Sequence, residues 1–148
     1  MSLVELLDAT RDETLRHFQL GERELARCYA LGKWPVRFIL HHLADAEVVM
    51  LERIRRVLGE GRQVLWVFDQ DAWAQGLDYA AMPLELSRNL FTSARAANRH
   101  HAAVHYDSHG HLEWVHSETG VRTLKDELDK VAAHNEHHLR QIRSALAQ

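Results

Sequence analysis

The chain has 148 residues, a length that suits one domain with its own buried core, and we expect a single domain over residues 1–148. Its composition, 46% hydrophobic and 26% charged with only two prolines and seven glycines, excludes a disordered or fibrous chain and favours a helix-rich protein. A formal net charge of −3 argues against a nucleic-acid-binding surface, which would need a basic stripe. The unusual feature is the presence of twelve histidines.

The N-terminal residues and the cysteine content suggest where the protein works. Residues 1–12 include Glu5 and Asp8 and contain no uninterrupted apolar run, so we expect neither a signal peptide nor a membrane span. A single cysteine, Cys28, excludes a framework of intrachain disulfides. These observations predict a cytoplasmic protein that does not bind a membrane.

The first half of the chain predicts two helices. Apolar or small residues recur at spacings of three and four through residues 3–31, which predicts one long amphipathic helix ended by Gly32. Trp34 and Pro35 then open a second helix, with proline at its start, where the missing backbone N–H does no harm. The apolar stripe of this second helix continues to Leu58.

A long connection and a third helix follow. The apolar residues within 60–82 do not recur with the 3.6-residue period of a helix, so we predict an ordered crossover with one short helical turn near residues 71–75. Pro83 restarts a helical pattern that reaches Val104.

The last part of the chain predicts a loop and a fourth helix. Residues 106–121 are polar, histidine-rich and interrupted by glycines, which is typical of a loop. Thr123 is a suitable N-cap, Asp126 stands in the favourable first turn, and the helix runs to about Leu146. Four helices of similar length without strand alternation predict an all-α four-helix bundle.

Two histidines interrupt the core-facing stripe of the last helix. His134 and His138 are four residues apart, so both imidazoles lie on one face of that helix. The apolar stripe runs through His138 and borders His134. Burying two ionisable rings side by side is unfavourable unless something satisfies them, and a divalent metal would do so.

A third ligand is expected from the second helix. His42 lies beside Ile39 and Leu43 on the core-facing stripe, whereas His41 is turned by about 100° and is expected at the rim. His42 is about 12 Å past the start of its helix, and His138 is about 12 Å before the end of the last helix. His42 and His138 would lie at the same height in the bundle if helices two and four were antiparallel. In that arrangement helices two and three are parallel, and a long crossover is needed to connect them.

A second group of histidines lies near the end of the third helix. His101 and His105 are also four residues apart, but this topology puts them at the opposite end of the bundle from the His134 and His138 level. We interpret the group as loop and rim residues: His100, His101, His105, His109 and His111. His17 and His116 are expected at the surface or supporting a ligand.

Other metal motifs do not fit the sequence. The metalloprotease motif needs glutamate where Asn135 stands, and its inverted form needs glutamate where His137 stands. The one Glu-x-x-His pair for a di-iron bundle, Glu113 with His116, lies in the predicted loop, and the Cys-x-x-Cys-His haem motif is absent. Three neutral histidines leave a coordination position open on a zinc-like ion, where water or a thiol would lose its proton near neutral pH.

Several further residues are candidates for the site. Asp45, Glu136 and His137 could orient ligands or handle protons, although each is also typical of an ordinary helix surface. Side chains of the long connection could line the mouth of a pocket, and hydrophobic packing across the bundle end is an equally good interpretation: Trp66, Phe68, Asp69, Trp73 and Tyr79.

Three segments resemble the DinB-like family of metal-binding four-helix bundles, which includes YfiT-type proteins. They are W-P-V-R-F-I-L-H-H-L-A-D-A-E (34–47), F-D-Q-D-A-W-A (68–74), and H-S-E-T-G-V-R-T-L-K-D-E-L with A-H-N-E-H-H-L-R-Q-I (within 116–142). The resemblance implies an up-down-down-up bundle, a metal bound by His42, His134 and His138, and frequently a homodimer. It also implies a choice of activities, because the family includes transferases and isomerases that use low-molecular-weight thiols as well as members described only as metal-dependent hydrolases.

Two functions therefore remain open. The first is a metal-dependent enzyme in which zinc or nickel activates a thiol or water against a small-molecule electrophile. The second is a metal-binding stress or interaction protein without catalysis. A structural site would be closed by a fourth protein ligand, whereas a catalytic one would open into a cleft.

Overall fold

The computed structural model describes residues 1–148 and contains six helices and one small sheet. No helix is both long and apolar enough to cross a membrane. The elements in chain order are α1 (Leu3–His17), α2 (Glu22–Leu25), α3 (Val36–Glu60), β1 (Val64–Leu65), α4 (Gln70–Gly76), α5 (Leu84–His105), β2 (Glu113–His116), β3 (Gly120–Thr123) and α6 (Leu124–Leu146).

The four long helices α1, α3, α5 and α6 form the bundle, and their contacts give its topology. Helices α3 and α5 are parallel, because His41 contacts Ser87 near both helix starts and Glu47 pairs with Arg95 further along both. The crossover between them, residues 61–83, makes this arrangement possible.

Helix α6 runs against α3. His42 near the start of α3 meets His134, whereas Arg53 further along α3 pairs with Glu127, which comes earlier in α6. Helix α1 is parallel to α6, since Leu7 packs with the beginning of α6 and Phe18 with its end. The predicted all-α bundle with up-down-down-up order is therefore confirmed.

The prediction of one long first helix is wrong, because α1 ends at His17. Gly21 is extended and its N–H donates to the carboxylate of Glu24, which caps the short helix α2. A glycine inside a helix costs about 1 kcal/mol relative to alanine, so a break here is cheap. The apolar spacing hides the break, because Phe18 before it and Leu25 after it are buried in the same core cluster.

The predicted loop over residues 106–121 is also wrong in its second half. Strands β2 and β3 pair as an antiparallel hairpin, and Gly120, with φ of +82°, begins β3 directly after the turn. Strand β1 adds parallel to β2 through Val64 and Val115. Trp114 points inward, is fully buried and donates its indole N–H to the Thr123 carbonyl at 3.1 Å. The short helical turn predicted in the crossover is confirmed as α4.

A polar layer divides the core at mid-height. The two apolar clusters of the bundle lie on either side of it, one around Trp114 and the other around Phe91. Between them, the buried guanidinium of Arg95 forms two hydrogen bonds to the Glu47 carboxylate, at 2.7 and 2.9 Å, and one to Asn135 at 2.6 Å. The layer joins α3, α5 and α6 next to His134.

Candidate metal centre

Three histidine rings converge between α3 and α6. The Nε2 atoms of His42 and His134 are 3.1 Å apart, and one nitrogen from each of His42, His134 and His138 lies within 4.8 Å of the others. Ligand nitrogens about 2 Å from a shared tetrahedral ion are separated by distances of this order. The structure thus brings together the three histidines that the sequence singles out, and we call them the histidine trio.

Burial keeps the trio neutral. His42 is 1% exposed and His138 is 7% exposed. Desolvation lowers the pKa of His42 to about 3, that of His134 to about 2 and that of His138 to about 4. Near pH 7 each ring therefore carries a lone pair that a cation can accept, and the donor set fits a borderline divalent metal.

Hydrogen bonds orient one ring and leave another without a partner. The Nδ1 of His138 lies 2.7 Å from the side-chain oxygen of Gln141, so Nδ1 carries the proton and Nε2 keeps its lone pair. Gln141 in turn donates to the hydroxyl of Tyr29 at 3.2 Å. The Nδ1 of His42 is buried without a hydrogen-bond partner.

Two cavities of different size flank the trio. The larger, which we call the wide cleft, has a volume of about 520 Å³ and borders His134 and His138. The smaller, which we call the side cavity, has a volume of about 190 Å³ and borders His42 and His134. His134 and Gln70 line both, so the trio lies between two spaces that a small molecule can enter.

The five candidate pocket residues from the crossover have different surroundings. Phe68 stacks on the His42 ring with centroids 5.9 Å apart and lines the side cavity. Trp73 packs against Phe68, and Asp69 caps α4 by accepting from two backbone N–H groups. Trp66 is 77% exposed and lines neither cavity, while Tyr79 is fully buried. Of the five, only Phe68 borders a cavity beside the trio.

The three candidates for proton transfer also have different surroundings. Asp45 accepts a hydrogen bond from the Tyr79 hydroxyl, and burial raises the pKa of this carboxyl. Glu136 forms a surface ion pair with Arg143 at 2.8 Å. His137 lines the wide cleft, where it lies beside His138. His137 is therefore the candidate that the structure places at a cavity.

Several residues around the trio were not singled out by the sequence. Tyr29, Lys33 and Trp34 come from the segment between α2 and α3 and line the wide cleft. Such residues leave no periodic signal, whereas Gln141, three residues after His138, follows the helical spacing that would have revealed it. His116, expected at the surface or supporting a ligand, is 6% exposed and lines the side cavity.

The second histidine group does not join the trio. His100, His101, His105 and His109 contact one another in sequence order along the end of α5 and the turn after it. We call them the histidine row. The trio is the only group of three or more potential metal-ligating side chains whose ligand atoms converge.

The fold and the trio together define a class of protein, the four-helix bundles with histidines from two facing helices gathered in a buried centre. Residues 6–142 match the sequence model of the DinB superfamily, and the chain belongs to that superfamily.

The relatives of this chain carry related names. Two proteins of Oceanobacillus iheyensis, each named "Putative metal-dependent hydrolase", are 29% and 30% identical over 131 and 128 residues; the matches cover 86% and 84% of this chain and 73% and 72% of theirs. A Bacillus cereus protein with the same name is 26% identical over 144 residues, covering 95% of this chain and 80% of its own.

A solved structure shares the fold. YfiT from Bacillus subtilis superimposes with a TM-score of 0.87 at 21% identity, over 97% of this chain and 83% of YfiT. It is described as "a probable metal-dependent hydrolase with an unusual four-helix bundle topology". The parallel α3 and α5 give the present chain a bundle order that differs from simple up-down alternation.

Proposed function

We propose that this protein is a metal-dependent enzyme in which His42, His134 and His138 bind one divalent cation, zinc or nickel. The proposed reaction is attack by water or a low-molecular-weight thiol on a small electrophilic substrate, as in a hydrolase or a thiol transferase. The observation that carries the proposal is the convergence of three neutral imidazoles, two buried and one half-buried, between two cavities. The names of the relatives, metal-dependent hydrolases, support it.

The donor set favours catalysis over a purely structural role. No fourth side-chain ligand joins the trio, and three-histidine sites normally keep a position for water or substrate. A bound divalent cation supplies Lewis acidity, which polarises a carbonyl and lowers the pKa of a water or thiol that it contacts.

The surrounding residues have separate tasks in this proposal. Gln141 fixes the tautomer and the orientation of His138. Trp34 and Phe68 pack against the His42 ring, with centroids 5.4 and 5.9 Å away, and exclude water from it. His137 lines the wide cleft beside His138 and is the one histidine there outside the trio, so we assign to it the transfer of the proton in the reaction.

The assembly and location are parts of the same proposal. We propose a homodimer that works on a small molecule in the cytoplasm, without nucleic acid or membrane. Leu86 and Leu90 support the dimer, because they expose apolar side chains one turn apart on α5, at 53% and 47%.

Metal analysis followed by an activity screen tests the function. Protein purified without a histidine tag is expected to hold about one equivalent of zinc or nickel by elemental analysis. Thiols paired with electrophiles, and ester or amide substrates with water, are then screened with and without a chelator. Activity that disappears with the chelator and returns with the metal supports the proposal.

Two outcomes of this test contradict catalysis in different ways. Failure of the protein to bind zinc or nickel on titration removes the proposed centre altogether. Stoichiometric metal without turnover, and without exchange of ligands at the metal, identifies instead a non-catalytic metal-binding stress or interaction protein.

A further inference from the structure

The side cavity differs from the wide cleft in its charge. Three different elements contribute a nitrogen-bearing side chain to its wall, Arg53 from α3, His116 from β2 and Lys130 from α6. None of its ten lining residues carries a carboxylate, whereas Asp71 lines the wide cleft. One side of the histidine trio therefore presents several hydrogen-bond donors; Glu127 balances the charge of Arg53, and Lys130 contributes an ammonium group that forms no salt bridge.

Arg53 is buried and incompletely satisfied. It is 3% exposed, and it donates to the Glu127 carboxylate at 3.1 Å and to the Trp66 carbonyl at 2.8 Å. Its Nε is buried and has no hydrogen-bond partner. A buried donor without an acceptor is unfavourable, so an acceptor brought by a ligand would stabilise this side chain.

His116 is held as a donor. Its Nδ1 accepts hydrogen bonds from the backbone N–H groups of Glu118 and Thr119, at 3.1 and 3.3 Å. The proton of the neutral ring must then be on Nε2, which has no partner within the protein. Lys130 is exposed and lies one helical turn before His134 on α6, so its ammonium group completes a set of donors beside the trio.

We propose that the side cavity is an anion subsite, in which Arg53, His116 and Lys130 bind a carboxylate of the molecule held at the histidine trio. This proposal rests on the proposed function, which places a small molecule at the trio. It adds the chemical class of that molecule, a carboxylate. Charged donors recognise carboxylates through short, charge-assisted hydrogen bonds, and a cavity of about 190 Å³ accommodates a carboxylate with a short carbon chain. The carboxylate can belong to the thiol or to the electrophile.

Matched pairs of ligands test the subsite and distinguish these two sources. β-Mercaptopropionate and its neutral amide are titrated into the cobalt(II)-loaded protein at low ionic strength, and binding is followed by visible absorption. Succinate and succinamate form a sulfur-free pair that differs only at the end remote from the metal. A preference for the acid in the thiol pair alone assigns the subsite to the thiol, and a preference in both pairs shows that the subsite also accepts a sulfur-free carboxylate, as an electrophilic substrate with that group would supply.

Charge variants test which residues carry the preference. In the unmodified protein we expect the acid to bind about tenfold more tightly than the amide. Lys130→Glu is expected to abolish or invert this ratio, Lys130→Arg to keep it, and His116→Leu to reduce it. Lys125→Glu is the matched control, since Lys125 is on the same helix but packs on Tyr106, and it should leave the ratio unchanged. Arg53 is kept, because its removal would leave Glu127 buried and unpaired.

Titration of the metal-free protein separates the subsite from the metal centre. Succinate is expected to shift the ring-proton NMR signals of His116, assigned by their loss in His116→Leu, while succinamide is not. This readout remains if cobalt fails to bind, a failure that would count against the proposed function alone. Equal affinities for acid and amide would overturn the subsite. So would a preference that survives Lys130→Glu and His116→Leu but is lost in Lys33→Glu, because Lys33 lines the wide cleft.

Discussion

The histidine trio and the histidine row contain the same local pattern in different surroundings. Both contain pairs of histidines four residues apart, His134 with His138 in the trio and His101 with His105 in the row. In the trio a facing helix supplies the third ring, and two of the three rings are buried and the other half-buried. The row comes from one continuous stretch of the chain and is partly exposed. The spacing places two rings on one face, but a second helix is needed to gather three donors.

Removal of one trio ligand is expected to produce the largest difference between the two groups. His138→Ala should lower metal content from about one equivalent to near zero, because two imidazoles rarely hold a divalent ion tightly. Elemental analysis of dialysed protein measures this, with circular dichroism to verify the helical fold. Full occupancy in the His138→Ala protein would remove this residue from the ligand set.

The polar layer beneath the trio is expected to give the next largest effect. Arg95→Met leaves the Glu47 carboxylate buried without its partner, which should lower the free energy of unfolding by about 3–5 kcal/mol. Urea denaturation measures it. The matched control is Arg99→Met, one turn further along α5, where the pair with Asp8 is 41% exposed on the arginine side and contributes about 1 kcal/mol or less.

A second variant shows whether the loss comes from the unpaired charge. Adding Glu47→Gln to Arg95→Met removes the buried charge, and part of the lost stability should return. Equal destabilisation by Arg95→Met and Arg99→Met would mean that the buried layer contributes no more than a surface pair. That result would contradict the structural difference between the buried Arg95 and the partly exposed Arg99 of α5.

The pH dependence of the metal-free protein is expected to report the burial of the trio. The folded-state pKa of each ring lies below its ordinary value of 6.5, so below pH 6.5 the unfolded chain binds protons that the folded chain does not. Stability should therefore be unaffected by these rings above about pH 6.5 and should fall as the pH decreases towards about 4. Each ring adds a slope of up to about 1.4 kcal/mol per pH unit.

Urea denaturation of the metal-free protein at several pH values between 7.5 and 5 checks this slope. His138→Gln removes one of the three titrating rings and should flatten the dependence by about one ring's share. His109→Gln is the control from the row, because His109 is exposed and its substitution should leave the slope nearly unchanged. An identical slope in all three proteins would show that the trio is not protected from protonation.

The sequence was sufficient to predict which three histidines converge, because the periodicity of apolar residues is a strong signal in long helices. His42 could be placed by its apolar neighbours and by its distance from Trp34, and the equal distance of His138 from the end of α6 put the two histidines level. The predicted parallel arrangement of α3 and α5 followed from that match, and the contacts between His41 and Ser87 agree with it.

The remaining features depend on contacts that leave no periodic pattern. The strands β2 and β3 have only four residues each, and the inward positions of Trp114 and His116 could not be recognised within a polar, histidine-rich segment. In the sequence, Arg53 and Lys130 resemble ordinary charged residues on helix surfaces. The cavity that they line lies between three elements, so it exists only in the folded chain. The break after α1 was hidden because the core continues across it.

The smallest effect is expected from the row itself. His105→Ala removes a partly exposed ring whose nearest polar partner is the Nδ1 of exposed His109, at 3.3 Å. Surface substitutions of this kind change the free energy of unfolding by about 0.5 kcal/mol or less, and metal content should stay at one equivalent. Nickel titration followed by calorimetry checks the second point, since a two-histidine pair on one helix offers no buried third donor. A second tight equivalent of nickel that disappears in His105→Ala would show that convergence from two helices is not required, and that spacing along one helix is enough in this protein.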